Sequence, residues 1–137
     1  MVEYRQEYTG NCRAGKHQDP SGGKEVIIMA TFDDFLKLDI RVGTIVSAKV
    51  FEKARKSSYQ LEVDFGDEIG IKKSSAQITD HYSADELAGK QVLAVVNFPP
   101  RQIANFMSEV LVLGTYSEGG VVLITPDKAV KNGDKLG

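Results

Sequence analysis

Eight consecutive residues do most to limit how this chain can fold. Between Ser58 and Phe65 the apolar Tyr59, Leu61, Val63 and Phe65 alternate with Ser58, Gln60, Glu62 and Asp64. Successive side chains of a strand point to opposite faces, so this period of two predicts a strand with one dry and one wet face. On a helix the same spacing would scatter the apolar residues around the axis. A strand of this kind is stable only when other elements cover its dry face, so the flanking sequence must supply more sheet.

It does. Residues 40–51 are rich in β-branched side chains and read as a long first strand, with Gly43 marking a bend or bulge. Gly66-Asp67 turns the chain into a third strand, 68–74. Ser83-Ala84-Asp85-Glu86 fits a capping box, and Gly89 can end a helix of one to two turns. Residues 91–98 read as a fourth strand, stopped by Pro99-Pro100, which opens a loop through Glu109. Residues 110–115 and 121–125 form a last hairpin across Ser117-Glu118-Gly119-Gly120, and Pro126 with Asn132-Gly133 shapes a tight tail. Upstream, Thr31 suits the N-cap of a short helix with Asp33 and Asp34 in its first turn and Phe32, Phe35 and Leu36 on one side.

Three strands, a short helix and further strands is the order expected of an OB barrel. The predicted fold is therefore all-β: a five-stranded Greek-key barrel with short helices and an extra C-terminal hairpin. Some other small β-barrel is the competing reading. The chain divides near Met29 into residues 1–28, a glycine-rich extension without periodicity expected to be flexible, and the barrel domain, 29–137. Lys24-Glu25-Val26 can be encoded by AAG GAG GTG, a ribosome-binding sequence, with Ile27-Ile28 as an AT-rich spacer. On that reading Met29 is the natural start and 1–28 a translated leader; a genuine disordered tail is the alternative.

The residues offer little for catalysis. The 137-residue chain has one cysteine, Cys12, and two histidines, of which only His81 lies in the barrel region. That excludes a disulfide framework and a cysteine-based zinc site, and no spacing of an oxygen-ligand metal site occurs. Asp80, His81 and Ser83 are neighbours in sequence, whereas a nucleophilic triad is an arrangement in space; His81 reads as a surface loop residue. Gly22-Gly23-Lys24-Glu25 resembles a phosphate loop but has Gln18 in place of the first glycine and Glu25 in place of the Ser or Thr. A non-enzymatic binding protein without a metal or other cofactor is expected. No apolar run approaches the roughly 20 residues needed to cross a bilayer, and residues 1–20 lack the apolar core of a secretory signal. No membrane insertion and a cytoplasmic location are the expectations.

Three stretches could carry binding. Lys49, Lys53, Arg55 and Lys56 surround the first strand-to-strand loop, against only Glu52. Lys72-Lys73-Ser74-Ser75-Ala76-Gln77 ends the third strand, and 98–108 forms the later loop. Cations in a hairpin loop can contact phosphates; Ser, Gln and Asn can contact riboses or base edges; Phe106 could stack on a base. The formal net charge of −2 opposes nucleic-acid binding by bulk charge, so such binding needs a local basic face. The bland reading of the cationic loop is a solvated tip. Ile103, Phe106 and Met107 have the spacing of a helical turn folded onto the core, or else they form an exposed apolar patch of the kind that takes up protein partners.

At this point a family likeness emerges. Leu38-Asp39-Ile40-Arg41-Val42-Gly43 resembles the opening motif of the tRNA-binding domain, which also occurs attached to methionyl- and phenylalanyl-tRNA synthetases. Val63-Asp64-Phe65-Gly66, Leu87-Ala88-Gly89-Lys90-Gln91-Val92 and the segment from Pro100-Arg101 to Ser108-Glu109 continue the likeness, over residues 32–136. The family more often has valine-serine-glycine-leucine where this chain has Lys73-Ser74-Ser75-Ala76, and asparagine-leucine-lysine-proline-arginine where it has Asn97-Phe98-Pro99-Pro100-Arg101. In both places the chain resembles the CsaA branch of bacterial export-related chaperones. That resemblance implies a cytoplasmic homodimer in protein secretion that holds unfolded polypeptides or preproteins, in contact with the secretion motor SecA. It also implies a retained fold for tRNA.

Two residue sets follow as expectations. Polypeptide would be taken up by Phe98, Ile103, Phe106 and Met107. RNA would be held by Lys53, Arg55, Lys56, Lys72, Lys73 and Arg101, with polar contacts from Ser74, Gln77 and Asn105. The family's later loop often has a lysine or arginine and a glycine after proline-arginine, whereas Gln102, Asn105 and Met107 are uncharged here. This departure weakens the RNA expectation and leaves the polypeptide one intact.

Overall fold

The computed structural model describes residues 16–18 and 25–137. They fall into two units divided between Leu38 and Asp39. In the first unit β1 (Lys16–Gln18) pairs antiparallel with β2 (Glu25–Ile27). The rest of the extension, with the phosphate-loop-like glycines and Cys12, lies outside the described residues. Helix α1 (Phe32–Leu36) begins as the sequence predicts: the Asp34 amide donates to Thr31 Oγ1 at 3.2 Å and the Thr31 amide to Asp34 Oδ2 at 2.9 Å.

The second unit is the barrel. Its long strand β3 (Ile40–Val50) pairs along one half with β6 (Gln91–Val95) and along the other with β4 (Tyr59–Asp64). β4 pairs in turn with β5 (Ile71–Ala76), and β6 with β9 (Leu111–Val112), giving the antiparallel order β5-β4-β3-β6-β9. The amides of Glu109 and Val110 both donate to the Lys73 carbonyl, at 2.8 and 3.3 Å, and bring the two end strands together. The result is a nearly closed five-stranded barrel with helix α2 (Ala84–Leu87) between β5 and β6, as the element order predicted. Leu61, Val63, Phe65, Ile45, Ile78, Leu87, Val92 and Val112 fill it. A ribbon of β10 (Gly114–Ser117) and β11 (Gly120–Leu123) follows.

Three local expectations need revision. Gly43 is not the bulge: the register shift falls between Ile45 and Ser47, leaving Val46 unpaired and exposed. Gly43 is needed for packing, because a Cβ there would lie 2.6 Å from Val63 Cγ1 and 2.8 Å from the Phe65 ring. The third and fourth strands are Ile71–Ala76 and Gln91–Val95, shifted or shortened at their turn ends. The C-terminal tail is also more than a turn. It pairs with the stretch of β3 that β4 leaves open, through Gly133 N to Val42 O (2.7 Å), Val42 N to Asp134 O (3.0 Å) and Leu136 N to Ile40 O (2.8 Å). Arg41 braces it, donating to Gly133 O at 3.0 Å and to Asp39 Oδ1 at 2.6 Å; the Asp39 hydrogen bond holds the guanidinium above its ordinary pKa.

Candidate functional site

The segment after Pro99-Pro100 is neither an open loop nor a helical turn. It is a tight hairpin of β7 (Arg101–Ile103) and β8 (Phe106–Ser108), paired Arg101↔Ser108, Gln102↔Met107 and Ile103↔Phe106. Three residues on either side of Ala104-Asn105 are too few for periodicity to distinguish a helix from a strand. Paired residues share a face, so Arg101, Ile103, Phe106 and Ser108 lie on one side and Gln102 and Met107 on the other. Burial follows that division. Ser108 is buried and Arg101, Ile103 and Phe106 are half-buried, whereas Gln102 is exposed and Met107 is 46% exposed.

The hairpin is anchored on β5. The Ser75 amide donates to Ser108 Oγ at 3.1 Å, and the Lys73 amide to Glu109 Oε1 at 3.0 Å. A second anchor comes from the loop between β3 and β4. Phe51, only 4% exposed, sets its ring against Phe106 at a centroid distance of 5.4 Å and an angle of 59°. Tilted aromatic pairs at this distance are favourable, because a ring edge meets a ring face. The Phe51 amide donates to the Ser58 carbonyl at 3.0 Å and closes the base of the loop. Lys53, Arg55 and Lys56 project from that loop, all exposed. The base of the cationic loop and the later segment, 55 residues apart at Phe51 and Phe106, thus meet in the fold. Sequence reasoning placed Phe51 at the end of a strand; its only signal is an aromatic immediately before a polar, cationic loop.

The remaining expected residues distribute unevenly. Lys73 lies opposite Glu62 and Lys72 opposite Val63, so the adjacent lysines point to opposite sides of the sheet. Lys73 shares the outer face with Gln60, Glu62 and Lys49, so that face carries acid as well as base. Ser74 is a correction: it pairs with Leu61 on the inner face and is fully buried, so its hydroxyl is out of reach of a ligand on the outer face. Asn105 is exposed at the hairpin tip, while Gln77 and Arg101 are half-buried and already engaged. The four apolar residues do not make one patch. Phe98 is half-buried, Ile103 and Phe106 face the barrel side, and Met107 faces away. Among the described residues no group of three His, Cys, Asp or Glu is placed to hold a metal ion, and no helix is long and apolar enough to cross a membrane.

Residues 40–135 match the model of the tRNA binding domain. The chain belongs to that family. Among solved structures it is similar to the chaperone CsaA of Picrophilus torridus, with 56% identity, a TM-score of 0.76, and coverage of 80% of this chain and 100% of that one. Similarity to CsaA of Bacillus anthracis is of the same order: 52% identity, a TM-score of 0.75, and 80% and 99% coverage. The methionine–tRNA ligase of Parabacteroides distasonis is 41% identical over 106 residues, 77% of this chain and 15% of the ligase. The chain thus spans a small part of the ligases it matches, and the match falls on a binding domain of this family.

Proposed function

We propose that this member of the tRNA-binding domain family is a non-enzymatic chaperone of the CsaA type. It works as a cytoplasmic homodimer on unfolded or export-bound polypeptides, with SecA as the partner that receives them. The observation that carries this reading is identity above 50% across the full length of two CsaA chaperones. The hairpin supports it: Met107 offers a soft, adaptable apolar contact on the outer side, and Ile103 and Phe106 offer apolar surface on the other. Two hairpins in a dimer would engage one extended chain at two points, and linked sites gain affinity through effective concentration.

A specific observation also favours tRNA. Lys53, Arg55 and Lys56 stand exposed in one loop, fixed beside a hairpin with Asn105 at its tip. Neutralising about three phosphates would give a log–log salt slope of about −2 to −3, a loss of roughly 16- to 64-fold between 50 and 200 mM salt. Apolar polypeptide capture lacks that dependence. The deciding experiment titrates bulk tRNA and a reduced, carboxymethylated α-lactalbumin at those two salt concentrations, with sizing of the free protein. Salt-insensitive capture of the unfolded chain by a dimer supports the chaperone. Steep salt-dependent binding of tRNA alone replaces it with the second reading, and binding of neither probe removes both.

A further inference from the structure

One feature beside the Phe51–Phe106 contact is locally unfavourable. On the hairpin side, Ala104 sits at φ 52, the one non-glycine residue with a positive φ among those described. That conformation crowds the Cβ of an L-residue and favours glycine or asparagine. Gln102 Nε2 reaches the Ala104 carbonyl at 3.2 Å and helps to hold it. Strain of this kind persists only where surrounding contacts over-determine the geometry, and it concentrates at recognition sites.

We infer that Phe51 is a positioning residue: its ring latches the cationic loop to the β7–β8 hairpin, so that loop and hairpin meet a ligand as one preorganised element. Phe51 itself is buried, so its part is to position other residues rather than to touch a ligand. Its effect is to hold Lys53, Arg55 and Lys56 in register with Asn105 and with the apolar hairpin face. Without it both segments remain attached to the barrel, the loop through β3 and β4 and the hairpin through Ser75 and Lys73. Each would then move independently, and binding would lose the benefit of preorganisation. The ligand-binding half of this inference rests on the loop and hairpin being the binding surface; the mechanical half does not.

Phe51→Ala and Phe51→Leu test it, with Phe51→Tyr as the conservative variant. The first arm needs no ligand. Amide hydrogen exchange of Phe51→Ala should quicken about tenfold or more in the loop and at 103–106 together, with the amides of β4 and β6 unchanged. Quickening confined to the loop overturns the latch. The second arm measures bulk tRNA at low salt. Loss of an aromatic pair predicts about 2- to 12-fold weaker binding for Phe51→Ala and Phe51→Leu, with recovery in Phe51→Tyr. Lys56→Ala should then weaken binding several-fold in the natural chain and far less beside Phe51→Ala. Independent effects that simply multiply would overturn the coupling. If the natural chain binds no tRNA, the binding surface assigned to tRNA fails, and the exchange arm still decides the latch.

Discussion

Strand β4 and the β7–β8 hairpin both alternate one side in and one side out, yet they bury very different amounts. In β4 every inward residue is closed off, with Leu61 and Val63 fully buried, because partners lie on both edges and the opposite barrel wall lies above. In the hairpin the inward Ile103 and Phe106 are only half-buried, because a ribbon of two three-residue strands has no further strand on its outer edge. The wall gains stability from area removed from water, and a slip of one residue would expose its whole apolar set. The hairpin gains much less and leaves its apolar side chains partly exposed. One alternating pattern thus serves enclosure in one place and display in the other, and the number of covered sides decides which.

That contrast can be broken by substitution, starting in the wall. Leu61→Ala should lower unfolding stability by about 2–5 kcal/mol in denaturant titration, since the site is enclosed on all sides and leaves a cavity. A loss below about 1 kcal/mol would mean that the wall is no better packed than the hairpin. Gly43→Ala should follow at about 1–3 kcal/mol, because the added methyl meets Val63 and Phe65 at distances no relaxed structure holds. Wild-type melting behaviour in that variant would show β3 free to shift.

In the hairpin the sign reverses. Ala104→Gly relieves the left-handed turn and should gain up to about 1 kcal/mol, while loosening the hairpin tip. A clear loss of stability in that variant would remove the evidence for strain beside the Phe51 contact. Met107→Ala should change stability by less than about 0.5 kcal/mol, because the side chain is exposed on the outer face of the hairpin. The same variant should weaken capture of an unfolded chain. Unchanged capture would take the outer face out of the binding surface.

The parts of the fold that were legible share a physical basis: local pattern or local chemistry. The alternation from Tyr59 to Phe65 places β4, because burial on one face imposes a period of two over several residues. Thr31 and Asp34 mark the start of α1, because a helix start leaves amides that a nearby side chain can satisfy. The cationic loop and the later apolar segment were also visible as candidates by composition. The hairpin within that segment was not, since Arg101–Ile103 and Phe106–Ser108 are three residues each. The division of Lys72 from Lys73 and the burial of Ser74 depend on register against β4, which no single strand contains.

The sequence by itself determined a small β-barrel, because alternation, turn residues and caps act over a few neighbouring positions, and its motifs added the resemblance to the tRNA-binding domain. Only the tertiary structure decided which of its candidate residues share a surface. Phe51 meets Phe106, Gly43 admits Val63 and Phe65, and the tail from Gly133 to Leu136 joins β3 across distances in sequence that no local pattern spans. Those contacts arise from closing the barrel, which sets the register of every strand at once.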